Sequence, residues 1–112
     1  MVILFAKNKL QKEFSDDNKL KQARGSRQAK LIRQRLSELK AADTLADMWM
    51  LPAARCHELT EDRKGAISLD LDYPYRLLIS VGGDSVEYRP DGGLVHDSVT
   101  TVIIEGVVNT HE

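Results

Sequence analysis

Apolar positions along this chain follow two periods, and the change from one to the other falls near Cys56. The first segment, residues 2–6, reads Val-Ile-Leu-Phe-Ala with no polar face, which predicts a short strand buried inside a sheet. Residues 7–25 carry a weak helical pattern anchored by Leu10, Phe14 and Leu20, with Asp16-Asp17 as a possible break. Gly25-Ser26 marks a pause. Beyond it, Ala29, Ile32, Leu36, Leu39 and Ala42 recur at spacings of three and four, giving one apolar stripe. Arg27, Lys30, Arg33 and Arg35 fall off that stripe and are expected to face solvent. Asp43-Thr44 closes the helix, and Leu45, Met48, Trp49 and Leu51 form an apolar patch before Pro52, with Trp49 expected in the core or at its rim.

From Cys56 onward the period is two. Residues 56–59 predict a short strand, and residues 66–72 alternate, with Ile67, Leu69 and Leu71 inward and Ser68, Asp70 and Asp72 on a wet face. Tyr73-Pro74 predicts a turn, because proline fixes its own φ and removes a ladder donor. A strand is expected over 75–81 and a β-branched one over 100–108. Between them lies a loop, 82–98, long enough to be functional or mobile. The resulting order is a strand, one or two helices, then four strands. It implies a single α+β domain over residues 1–112, with helices packed on one face of an antiparallel sheet.

Composition adds two constraints. The one cysteine excludes an internal disulfide and a cysteine-based zinc site, and fits a reducing cytoplasm. No apolar run approaches membrane-span length, and the start MVILFAKNKL has its apolar residues before its basic ones, the wrong order for a signal peptide. The net charge of −1 conceals a division. Residues 1–40 carry eleven Lys/Arg against four Asp/Glu, a net of +7, and residues 41–112 carry five against thirteen, a net of −8. The basic first part points to an anionic partner, nucleic acid or acidic protein, if it is more than a solvated helix face.

The candidate chemistry lies in the sheet half. His57 sits in the second strand, Arg63 and Lys64 follow in a turn, Arg76 opens the fourth strand, and His111 follows the fifth. Alternation along the last strand would put His111 on the face of Glu105, Val107 and Asn109. If the strands are neighbours, these residues form a basic, histidine-containing patch. Such a patch suits phosphodiester cleavage: histidines exchange protons with a 2′-hydroxyl and a 5′-oxygen, and arginine's planar fork holds the phosphate. No metal-ligand spacing is present. Plain structural roles are open for each residue: Arg76 as an ion-pair partner of Asp70 or Asp72, His57 as a hydrogen-bonded sheet residue, His96 as a loop residue with no evident partner. The residues alone reach a small cytosolic α+β protein with an anion-binding sheet face.

The run RCHELTEDRKGAISLDLDYPYRLLI over residues 55–79, with Leu36, Leu39, Leu45, Asp47, Met48 and Pro52 upstream and the closing IIEGVVNTH over 103–111, resembles the HigB-like branch of the RelE/ParE toxin superfamily, the plasmid maintenance killer proteins. The resemblance implies a microbial-RNase-like fold and the toxin of a type II toxin–antitoxin system, a ribosome-dependent mRNA endonuclease needing no metal or other cofactor. Its partners would be a HigA-like helix-turn-helix antitoxin, the ribosome and mRNA, with no membrane and with DNA reached only through the antitoxin. Residue by residue, it assigns acid–base work to His57 and His111, transition-state stabilisation to Arg76, and phosphate binding to Arg63 and Lys64. Asn109 and Thr110 stand where the family commonly has Asp and Tyr, so the resemblance leaves RNA stacking to Tyr73 or Tyr75. The alternative is a non-catalytic or divergent member of the toxin fold that works by binding its antitoxin or another target such as gyrase.

Overall fold

The structure is a computed structural model that describes residues 1–59 and 65–109. Strand β1 (Val2–Phe5) leads into helices α1 (Asn8–Phe14), α2 (Asp17–Arg24) and α3 (Ser26–Ala41). Short 3-10 turns over Leu45–Met50 and Pro52–Ala54 then deliver the chain to β2 (His57–Glu58), β3 (Ala66–Asp70), β4 (Tyr75–Gly82) and β5 (Thr101–Asn109). The five strands form one sheet in the order β1-β5-β4-β3-β2, with the helices on one face, an α+β arrangement. None of its helices is long and apolar enough to cross a membrane, among the described residues.

Local chemistry explains the helix boundaries. The weak helical pattern of residues 7–25 is two helices because Asp16 is an N-cap, its carboxylate accepting from the backbone N–H groups of Asn18 and Lys19. Gly25, at φ 82°, ends α2 and starts α3 in a conformation that a side chain would resist. Ala29, Ile32 and Leu39 of α3 then meet Ile67, Leu69, Leu77, Ile79, Val102 and Ile104 of the sheet in one buried cluster. Phe14 and Leu20 join the same cluster from α1 and α2.

Four sequence expectations are corrected. Strand β1 is not inside the sheet: it is an edge, parallel to β5, which makes the sheet mixed rather than antiparallel. Its Ile3 and Phe5 pack on the core, while Val2 and Leu4 are 56% and 49% exposed. An all-apolar strand of four residues thus buries only one face, and composition alone could not show which. Arg35 does not face solvent but is 3% exposed. Its Nε donates to the Asp70 carbonyl at 2.7 Å, its Nη2 to the Ala53 carbonyl at 2.9 Å, and its Nη1 to Glu38 at 2.9 Å. Three satisfied directions are what allow a guanidinium to sit under a helix. Ser68, placed on a wet face by alternation, is fully buried.

The fourth correction concerns β5. Ile79 pairs with Ile104 but Leu78 pairs with Gly106, so Glu105 is the extra residue of a β-bulge. Gly106 adopts φ 147°, which glycine tolerates. The bulge flips the alternation. Glu105 accepts from Ser80 Oγ at 2.7 Å on the face away from the helices, whereas Val107, opposite Leu77, packs against the core. Glu105 and Val107 therefore do not share a face, and simple counting along β5 fails beyond residue 105.

Candidate active site

The face of the sheet opposite the helices carries a polar cluster built by three adjacent strands. Register places His57 across from Ser68, and Asp70 across from Arg76, so four side chains from β2, β3 and β4 meet in one patch. Arg76 Nη1 lies 3.1 Å from Ser68 Oγ and 3.5 Å from Asp70 Oδ1. Arg55, just before β2, reaches the other Asp70 oxygen at 3.5 Å. Ser68 is buried because His57 and Arg76 lie over it.

The contacts of the imidazole define its orientation. Nδ1 is 3.0 Å from the Arg55 carbonyl oxygen, which can only accept, so the neutral ring carries its proton on Nδ1 and its lone pair on Nε2. Arg76 Nη1 is 3.5 Å from Nδ1 and 3.3 Å from Nε2. Ser68 Oγ is likewise 3.5 Å and 3.3 Å from the two nitrogens. An atom nearly equidistant from both nitrogens sits either in the ring plane or over the ring face. In the plane it would collide with the carbon between them, so both groups lie against the face. The ring rests on Ser68 and the guanidinium. In its plane Nε2 has no acceptor or donor among the described residues.

Backbone strain sets the Nδ1 anchor. Arg55, at φ 42° and ψ 51°, is the one described non-glycine residue with positive φ. It ends the Pro52–Ala54 turn in the left-handed region and points its carbonyl at the histidine. The adjacent Cys56 belongs to the core cluster, on the opposite side of the strand from His57. Burial, reinforced by the charge of Glu58, pushes its thiol up to about 12, so it stays protonated and is no nucleophile. Ser68 Oγ cannot serve as a histidine-activated nucleophile either, because it meets the ring face and not the Nε2 lone pair.

The structure thus joins His57 to Arg76 and adds three residues that sequence reasoning did not assign to the site: Ser68, Asp70 and Arg55. Strand alternation had put Ser68 and Asp70 on the correct face, but their roles depended on register. Tyr75 is not brought in. It neighbours Arg76 on β4, alternates to the other side with Leu77, and is 38% exposed. Arg63, Lys64 and His111 lie outside the described residues. His96, read as partnerless, stacks on Trp49 with ring centroids 3.8 Å apart and planes at 23°. Among the described residues, no group of three or more His, Cys, Asp or Glu side chains is placed to hold a metal ion.

Comparison with protein-family models and with curated proteins finds no match to this chain.

Proposed function

We propose that this protein is an endoribonuclease that cleaves mRNA at the ribosome, the toxin of a toxin–antitoxin pair with the RelE-like fold suggested by the sequence resemblance. One observation carries the reading: His57 is clamped on Nδ1 and on its face, leaving the Nε2 lone pair open beside the Arg76 guanidinium. Nε2 takes the proton of a 2′-hydroxyl, the 2′-oxygen attacks the adjacent phosphorus, and the 5′-oxygen leaves with a proton from a general acid. His111 is the acid that the resemblance suggests. Arg76 lies where charge builds on the phosphoryl oxygens. Asp70 holds Arg76 in register at 3.5 Å, and Ser68 supports it from below at 3.1 Å.

Primer extension on an mRNA in programmed ribosomes tests this reading. The wild type is expected to cut within the A-site codon, and His57→Ala and Arg76→Ala each to slow cutting by about 10²–10⁴. An absence of cuts by the wild type at micromolar protein overturns it. A second reading, an interaction module without catalysis, draws on the Asp70–Arg76 ion pair, because an arginine committed to a neighbour has a sufficient structural reason to be there. That reading is favoured if no cutting occurs while the antitoxin still binds tightly.

A further inference from the structure

Helices α1 and α2 enclose a second feature, on the opposite side of the molecule from His57. Between them lies an open cleft of about 430 Å³ lined by Lys9, Lys12, Glu13, Lys19, Gln22 and Ala23. Its charge is uncompensated for a reason visible in the bonding. Each acidic residue of α1, α2 and the turn between them is already engaged. Glu13 accepts from Arg24 Nε at 3.3 Å and Nη2 at 3.2 Å, Asp16 caps α2, and Asp17 pairs with Arg33 at 3.8 Å. Lys9, Lys12 and Lys19 are exposed and have no carboxylate partner among the described residues. Lys7 and Lys21 extend the same exposed charge beyond the cleft.

We propose that this cleft docks the phosphate backbone of duplex RNA. Three ammonium groups in one groove match a polyanion, and lysines act as point charges that neutralise phosphates without reading bases. No aromatic ring lines the cleft, so the stacking that single strands demand is missing. A duplex presents its phosphates and asks for no stacking. The choice of RNA over DNA rests on the function proposed above, but the docking surface is separate from the cleaving one. The sheet face acts on a single-stranded target, while the helical layer grips structured RNA around it.

The test is fluorescence anisotropy of a labelled 20-base-pair RNA duplex across a salt series. It compares the wild type, the triple variant Lys9→Gln/Lys12→Gln/Lys19→Gln, and His57→Ala. Glutamine is a good helix former, and equal far-UV circular dichroism and Tm show that the triple variant is folded. The triple variant is expected to lose tenfold or more in affinity at low salt, and its slope of log K against log salt is expected to fall by about 2–3. Restoring the charge with Lys→Arg at the same three sites recovers both. His57→Ala keeps full duplex affinity, so loss of docking and loss of cleavage are read independently. An unchanged slope in the triple variant overturns the proposal. So does a result in which poly-glutamate binding falls in the triple variant and RNA binding does not, which would assign the cleft to an acidic protein.

Discussion

At the scale of single residues, Arg35 is the most informative, because its environment contradicts its position in the pattern. It lies three residues after Ile32 and four before Leu39, on the buried side of α3, yet its charge suggested solvent. The structure resolves this with three bonds, two that tie α3 to the end of β3 and to the turn at residue 53 and one to Glu38 of the same helix. The bond to the Asp70 carbonyl also fixes the backbone whose side chain holds Arg76. Arg35→Met keeps most of the stem and removes the fork. It leaves the Asp70 and Ala53 carbonyls without this donor and Glu38 without its partner. The expected cost is about 3 kcal/mol in denaturant unfolding, together with reduced cleavage at unchanged His57. A cost under about 1 kcal/mol would show that the buried fork is not held as described. Charge alone cannot predict such a residue, because burial depends on which acceptors the tertiary fold brings within reach.

Elements were legible in proportion to their periodicity. The α3 stripe, the alternation of β3 and the β-branched run of β5 each gave the right element, since each sends apolar side chains into the core at that element's period. The edge position of β1, the bulge at Glu105 and the burial of Ser68 were hidden, because each follows from how strands pair and not from any one strand. The same limit applied to the candidate site: His57 and Arg76 were found by residue type, while Ser68 and Asp70 needed the register. The segment after β4 shows the limit most clearly. It read as a structureless loop, but Tyr88 bridges Leu94, Leu94 and Val99 are buried, and a 3-10 turn over His96–Ser98 leads into β5. Several contacts bind it to the body of the protein, among them the Trp49–His96 stack, the Leu45 N–H donating to the Val99 carbonyl at 3.0 Å, and Glu58, which accepts from the Leu94 N–H at 2.9 Å. Trp49 is the sole tryptophan, so its fluorescence reports this junction. His96→Ala should shift its emission to the red and speed amide exchange in residues 86–96, with stability lowered by about 1–2 kcal/mol. Unchanged emission would mean that the stack does not hold the segment.

Across the whole molecule, the division of charge would set how the proposed anionic partner is met. The net of +7 over residues 1–40 resides in the helical part, and the net of −8 over residues 41–112 resides in the part that carries the candidate site. That distribution is a dipole that turns the helices toward a polyanion at long range and works against approach of the sheet half. Much of the opposing charge lies in the segment after β4, where Asp84, Glu87 and Asp97 are exposed and make no ion pair among the described residues. Asp91 differs. It accepts from the Gly93 N–H and from Arg89, which together hold its carboxyl below the ordinary carboxylate range, and it shapes the turn. Neutralising the first three as Asp84→Asn, Glu87→Gln and Asp97→Asn should leave the fold within about 0.5 kcal/mol of wild type. The association rate with duplex RNA or with ribosomes at low salt should rise several-fold, with dissociation little changed. At 1 M salt, where screening acts within about 3 Å, the variant and the wild type should associate at the same rate. A rate gain that persists at high salt would show that these side chains contact the partner directly, and an absence of any gain would show that the acidic half lies outside the field the partner senses.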